Sequence, residues 1–194
     1  MIRVARLTGD DLARALEDVA RLRIEVFRAW PYLYDGDAAY EARYLQTYRE
    51  SEAAILVGAF DGERLVGAST GTPMEDHAQD FAAAFEGQGI DMKDIFYCAE
   101  SVLLPDYRGK GIGHAFFDAR EGHARDMGRR YSAFCSVARP ADHPLKPEGY
   151  QPLDPFWRKR GYAPLDGAVA RFGWKDIDQP DETEHALQFW LREL

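Results

Sequence analysis

Eight consecutive residues carry the strongest chemical signal in the chain: Tyr107-Arg108-Gly109-Lys110-Gly111-Ile112-Gly113-His114. Glycine is needed where a backbone must approach an anion closely or take a positive φ, and a loop so built can turn several N–H groups toward one point. The chemistry is anion binding, and the natural ligand is a phosphate or pyrophosphate. Two common phosphate loops do not fit. A P-loop continues Gly-Lys with Ser or Thr as a Mg²⁺ ligand, whereas Gly111 follows Lys110 here. A dinucleotide fingerprint runs G-x-G-x-x-G, and His114 stands where its third glycine would fall. The second candidate is Glu100, a carboxylate inside the apolar run Ile95 to Leu104. A charged residue is unexpected in a buried strand, which is itself a functional hint.

These residues need elements to hold them. Ile95 to Leu104 reads as a strand and Ala115 to Met127 as a helix, so the glycine loop opens a helix, whose macrodipole adds to its pull on an anion. Upstream, Ile2 to Leu7 alternates as a strand. Thr8 or Asp10 can cap a helix carrying Leu12, Leu16, Val19, Leu22, Val26 and Phe27 at helical spacing. Asp37 to Tyr48 predicts a second helix. Ala53 to Phe60 and Arg64 to Thr70 predict a hairpin around Asp61-Gly62. A short helical pattern spans Phe81 to Phe85, Gly128 suits a helix C-cap, and Tyr131 to Ala138 is a further strand. The proline-rich stretch 139–154 predicts a loop, Pro155 to Lys159 a short helix, and Ala163 to Trp174 a closing strand pair. In the tail, Ala186, Leu187, Trp190, Leu191 and Leu194 fall on one helical face, predicting an amphipathic C-terminal helix.

The pattern Arg108-x-x-Gly111-x-Gly113, preceded by Leu103-Leu104-Pro105-Asp106-Tyr107, resembles the acyl-CoA pyrophosphate loop and strand exit of the GNAT superfamily of N-acetyltransferases. The resemblance covers about residues 1–175. It implies an α/β fold with a central mixed sheet and helices on both faces, formed by 1–175, with 176–194 as a helical extension. It also implies that the strands around 95–104 and 131–138 splay apart to admit pantetheine, with Val102, Leu103 and Leu104 lining the slot. Arg108, Gly109, Lys110, Gly111, Ile112, Gly113 and His114 would then hold the pyrophosphate of acetyl-CoA, without a metal.

Amide formation from a thioester needs a neutral amine, donors for the developing oxyanion and a proton for the leaving thiolate. By resemblance Glu100 is the general-base candidate. Relatives often carry that carboxylate one position earlier, at Ala99 here, and a one-residue shift reverses the side chain unless a bulge intervenes. Ser101 would then face the reacting side. The family's usual acid is a tyrosine, but in Phe156-Trp157-Arg158-Lys159-Arg160-Gly161-Tyr162 its place is taken by Trp157. Tyr150, Tyr162 and Tyr97 are substitutes, Tyr150 among the catalytic candidates. Trp30, Tyr32 and Tyr34, with Asp142 in the 139–154 loop, are candidates for an acceptor wall able to clasp a cation. His143 beside Asp142 reads as structural or exposed.

Composition narrows the classes. The chain has 194 residues, enough for one domain with a full core, and a net charge of −9 without a basic run. That argues against a nucleic-acid partner. No apolar run reaches a membrane span, and the N-terminal residues read as a strand rather than a leader, so a cytoplasmic protein is expected. Cys98 and Cys135 form no metal or redox motif. The expected activity is acetyl transfer from acetyl-CoA to a primary amine, most simply of a small molecule. An acyl-CoA-binding sensor on the same scaffold and protein or peptide N-acetylation stay open, as does a homodimer.

Overall fold

The computed structural model describes residues 2–194. Seven strands form one sheet in the order β1-β2-β3-β4-β5-β7-β6. They are β1 (Arg3–Leu7), β2 (Ile55–Asp61), β3 (Arg64–Pro73), β4 (Ile95–Leu103), β5 (Tyr131–Val137), β6 (Ala163–Lys175) and β7 (Glu182–Glu193). Every neighbouring pair is antiparallel except β4 and β5. The helices are α1 (Gly9–Phe27), α2 (Ala38–Tyr44), α3 (Gln46–Glu50), α4 (Ala78–Phe85), α5 (Ile112–Asp126) and α6 (Asp154–Lys159). The predicted helix at 37–48 is thus two short ones. Thr8 sits at the N-cap of α1, but its side chain makes no capping bond. No helix among the described residues is long and apolar enough to cross a membrane.

The helices cover both faces. Glu100 on β4 meets Arg23 of α1, while the next residue, Ser101, meets Arg120 of α5. Successive strand residues point to opposite faces, so α1 and α5 lie on opposite sides of the sheet. Leu12, Leu16, Val19 and Leu22 seal one side, and Ile112, Phe116, Phe117 and Ala124 the other. Arg23 continues the α1 stripe after Val19 but carries a charge into it.

Two irregularities in β4 make the site. Its parallel pairing with β5 lasts three positions, Ile95↔Tyr131, Phe96↔Ser132 and Tyr97↔Ala133, and then stops. Beyond Tyr97 the strands part. On the other edge, Gly71 pairs with Cys98 and Ser69 with Ser101, so Ala99 and Glu100 together oppose Thr70. That is a β-bulge, which bends the strand and re-aims its side chains.

Arg120 holds the bulge. Its side chain is wholly buried, and its guanidinium donates to the carbonyls of Phe116, Thr70 and Glu100 and to Ser101 Oγ, at 2.9–3.3 Å. The Phe117 ring lies 4.8 Å from its Cζ. A bulge strips carbonyls of their ladder partners, and a buried unpaired carbonyl is costly.

The C-terminal segment corrects the sequence reading. Residues 182–193 are not a helix on an extension but strand β7, inserted between β5 and β6 and paired with both. His185, Leu187 and Phe189 are buried on one face and Trp190 on the other. A strand covered on both faces loses clean alternation and then mimics a helical stripe. Likewise 163–175 is one strand of a pair whose partner is β7.

Replacing Arg120 with Met should leave at least two buried carbonyls unpaired and lower unfolding free energy by about 2–4 kcal/mol. Urea denaturation measures this; an unchanged midpoint would show that the bulge holds without its clamp.

Candidate functional site

Where β4 and β5 separate, a cleft of about 870 Å³ opens toward the glycine loop. A second cavity, of about 200 Å³, lies on the α1 side of the sheet. The two share five lining residues, Phe27, Tyr32, Ala99, Glu100 and Cys135. This shared wall is a throat, the one place where ligands of the two cavities would meet.

The outer cleft fits an elongated ligand with an anionic group. Gly109 and Gly111 take φ of 72° and 79°, and nothing lies within 4 Å of a Cβ built on either. Gly111 is the N-cap of α5, so the N–H groups of Ile112, Gly113 and His114 lie in its first turn without intrahelical acceptors. No acidic residue occupies that turn. Arg108 lines the cleft and donates from Nε to Leu103 O at 3.2 Å. Lys110 lines no part of it, since its ammonium turns back to Asp106 O at 2.9 Å. The His114 ring is held by Arg160 at 3.2 Å and packs on Phe156.

The expected slot-lining trio resolves into one residue. Leu104 donates its N–H to Val66 O and accepts at its carbonyl from Tyr107 N–H, so neither group is free for a ligand. By strand alternation Val102 also turns its backbone to β3, and its side chain is buried in the core. Leu103 alternates with them, and its backbone faces the gap left by β5.

The bulge decides the orientation of Glu100. Its side chain is 2% exposed. Oε1 accepts from Thr70 Oγ1 at 2.8 Å, and Oε2 accepts from Arg23 Nη1 and Tyr44 OH, both at 2.9 Å. A carboxylate offers about four acceptor positions, so roughly one remains open, on Oε1. Arg23 is shared with buried Glu41, 2.5 Å from its Nε, and its guanidinium lies over the Tyr44 ring at 3.9 Å. Burial opposes the Arg23 charge, but Glu100, Tyr44 and Glu41 outweigh it and its pKa is raised. Burial raises the pKa of Glu41, against the pull of Arg23. Ser101 does not join Glu100; it lies on the opposite face, bound to Arg120.

The inner cavity is walled largely by rings, among them Tyr34, Tyr40, Tyr44, Phe81, Tyr97 and Trp174, with Asp80 also on its wall. Tyr32 packs on Phe27 at 4.2 Å and Trp174 at 5.9 Å, lining both cavities. Tyr34 lines the inner one and Trp30 the outer, against His143 and Tyr150. Tyr150 reaches only the outer cleft. Asp142 is exposed and lines neither cavity, which removes it from the acceptor wall. Trp157 packs between Phe134 and Trp190, at 4.9 and 5.1 Å. Tyr162 is buried between Ser132 and Glu121. The Cys135 thiol stands 3.6 Å from Tyr97 OH, and burial pushes it up to about 12.

The sequence reading missed Arg23, Tyr44, Thr70, Cys135 and Arg139. Arg23 alone left a signal, as the charged member of the stripe Val19–Arg23–Phe27.

A family model for the acetyltransferase (GNAT) family matches residues 12–145. Comparison with curated proteins finds no match. Among solved structures, the PaiA N-acetyltransferase of Thermoplasma acidophilum, in complex with coenzyme A, is 14% identical over 100% of this chain and 99% of that one, with a TM-score of 0.55. The ribosomal-protein-alanine N-acetyltransferase of Brucella melitensis is 12% identical over 100% and 99%, with a TM-score of 0.59. A GCN5-related N-acetyltransferase of Kribbella flavida is 14% identical over 100% and 98%, with a TM-score of 0.57. At these identities the likeness is one of fold.

Gly111→Val forces a branched side chain into a left-handed backbone at the mouth of the cleft. Calorimetric titration with acetyl-CoA should show at least a hundredfold weaker binding, without loss of fold; full affinity would contradict the loop assignment.

Proposed function

The chain belongs to the GNAT acetyltransferase family, and from that premise we propose that it transfers the acetyl group of acetyl-CoA to a primary amine of a small molecule. The observation that carries this reading is the throat: a cleft with an anion cradle meets a small ring-walled cavity at Glu100. An open groove would suit a peptide; a ring-walled cavity of about 200 Å³ suits a compact amine. Its ring faces favour a cationic substrate with an apolar body, with Glu100 and Asp80 sharing the wall with Arg23 and Arg43.

An alkylamine is mostly protonated at neutral pH, with a reference pKa near 10.4, and must lose a proton to react. Glu100 supports that step with its one open acceptor position, which takes an N–H of the amine or a bridging water. Its bonds to Arg23, Tyr44 and Thr70 fix its plane, so the acceptor is held in place before the amine arrives. Arg108 and the first-turn N–H groups of α5 bind the donor's pyrophosphate, and the N–H of Leu103, whose carbonyl accepts from Arg108, pairs with its pantetheine arm. Cys135, although at the throat, is unsuited to carry the acyl group, because the thiolate is the nucleophile and burial opposes its formation. The proposed route is direct transfer to the amine.

Release of free CoA from acetyl-CoA across a panel of amines, amino acids and peptides tests the reading. Turnover is expected with small cationic amines. Glu100→Gln should lower kcat about a hundredfold with acetyl-CoA affinity kept, and Cys135→Ala should stay within threefold of the wild type. Tight acetyl-CoA binding with no turnover on any acceptor would favour the sensor reading instead.

A further inference from the structure

With Trp157 packed in the core, the negative charge that develops as the thioester breaks has no donor in the family's usual position. The hydroxyls around the throat are not equivalent. Tyr44 OH donates to Glu100, Tyr97 OH is paired with Cys135, Tyr162 OH is held by Ser132 and Glu121, and Tyr150 reaches only the outer cleft. Tyr32 differs from all of them. Its ring lines both cavities. Its hydrogen bonds among the described residues run through its backbone carbonyl, leaving the phenol without a protein partner.

That carbonyl is held unusually firmly. Arg139, at the root of the 139–154 loop, donates to Tyr32 O at 2.6 Å and to Pro31 O at 2.8 Å. The same guanidinium grips Asp176 through two bonds, at 2.6 and 2.8 Å, with both side chains buried. Trp174 Nε1 donates to Tyr32 O and Asp176 Oδ1, at 3.1 and 3.0 Å, and its ring is one wall of the Tyr32 slot. Ile177 N–H donates to Leu33 O at 2.7 Å, tying the next residue to the end of β6. The two donors on Tyr32 O and the one on Pro31 O satisfy these carbonyls and at the same time fix the backbone that carries the Tyr32 ring at the throat.

We propose that Tyr32 is the hydrogen-bond donor to the departing thiolate, and that Arg139 is its positioning residue. The inference rests on the proposed amine acetylation. As the amine nitrogen forms the C–N bond, the C–S electron pair leaves on sulfur, and the surplus proton on nitrogen passes to Glu100 or solvent. The Tyr32 O–H bond stays intact. A thiol has a pKa near 8.5, far below a phenol that burial raises above its usual 10, so full proton transfer from Tyr32 would run uphill while a hydrogen bond costs nothing of the kind.

Steady-state CoA release by the full chain, with the best amine of the panel, tests this. Tyr32→Phe should lower kcat about a hundredfold with acetyl-CoA affinity and melting temperature unchanged, while Tyr131→Phe, at a residue that lines neither cavity, stays within twofold and Tyr150→Phe does not reproduce the kcat loss. Arg139→Gln should lower kcat about tenfold with the same affinity, and cause little further loss in the Tyr32→Phe background, since coupled residues are not additive. If Arg139→Gln does not fold, Trp174→Phe, which removes the Nε1 donor, reads the same coupling. Wild-type kcat in Tyr32→Phe, or the loss appearing in Tyr150→Phe, overturns the donor assignment; full additivity overturns the positioning role. A wild-type chain that releases no CoA with any amine would instead remove the acetylation reading, and this inference with it.

Discussion

Three ladder positions join β4 to β5, and the separation beyond Tyr97 and Ala133 is the feature on which the site depends. A sheet that gives up pairing leaves backbone donors and acceptors exposed, which is tolerable only where water or a ligand can pair with them. Here the separation coincides with a bulge on the opposite edge of the same strand, where Ala99 and Glu100 share one partner, Thr70. Arg120 reaches through from α5 to satisfy the carbonyls involved. One buried guanidinium therefore holds the bulge that orients Glu100.

The electrostatics of the throat follow from that orientation. Arg23 lies between Glu41 and Glu100, so the buried cluster holds one cation and two carboxylates. Buried charge is costly unless it is paired and hydrogen-bonded. Thr70 and Tyr44 supply the further bonds, and the ring of Tyr44 covers the guanidinium. Glu100 faces a cavity walled by ring faces, which favour a cation entering it. On the outer side Arg108 and the N-terminus of α5 face the cleft. The anion cradle and the ring-walled cavity thus meet at the throat.

Much of this was legible in the sequence. The glycine loop, the strand before it and the helix after it lie where their local signals put them, because turn glycines and long periodic runs act over short distances. The family resemblance carried the fold. Glu100 was singled out because a charge in an apolar strand is conspicuous, but its facing could not be settled from one strand. The bulge that turns it depends on Thr70 and Arg120, which are distant in sequence. The tail was misread for a related reason. Leu187, Phe189 and Trp190 serve two faces of a central strand, and their spacing matches a helix as well as a strand. Arg139 and Asp176 are ordinary surface residues by sequence and become a buried pair only when the ends of β5 and β6 are brought together.

A crystal structure of the full chain with coenzyme A would test the central claim most directly. The account predicts the pyrophosphate on the N–H groups of 109–114, the pantetheine arm between β4 and β5 with its amides paired to Leu103, and the sulfur at the throat between Glu100, Tyr32 and Cys135. Coenzyme A bound elsewhere, or a β4–β5 ladder that runs on past Tyr97, would contradict it.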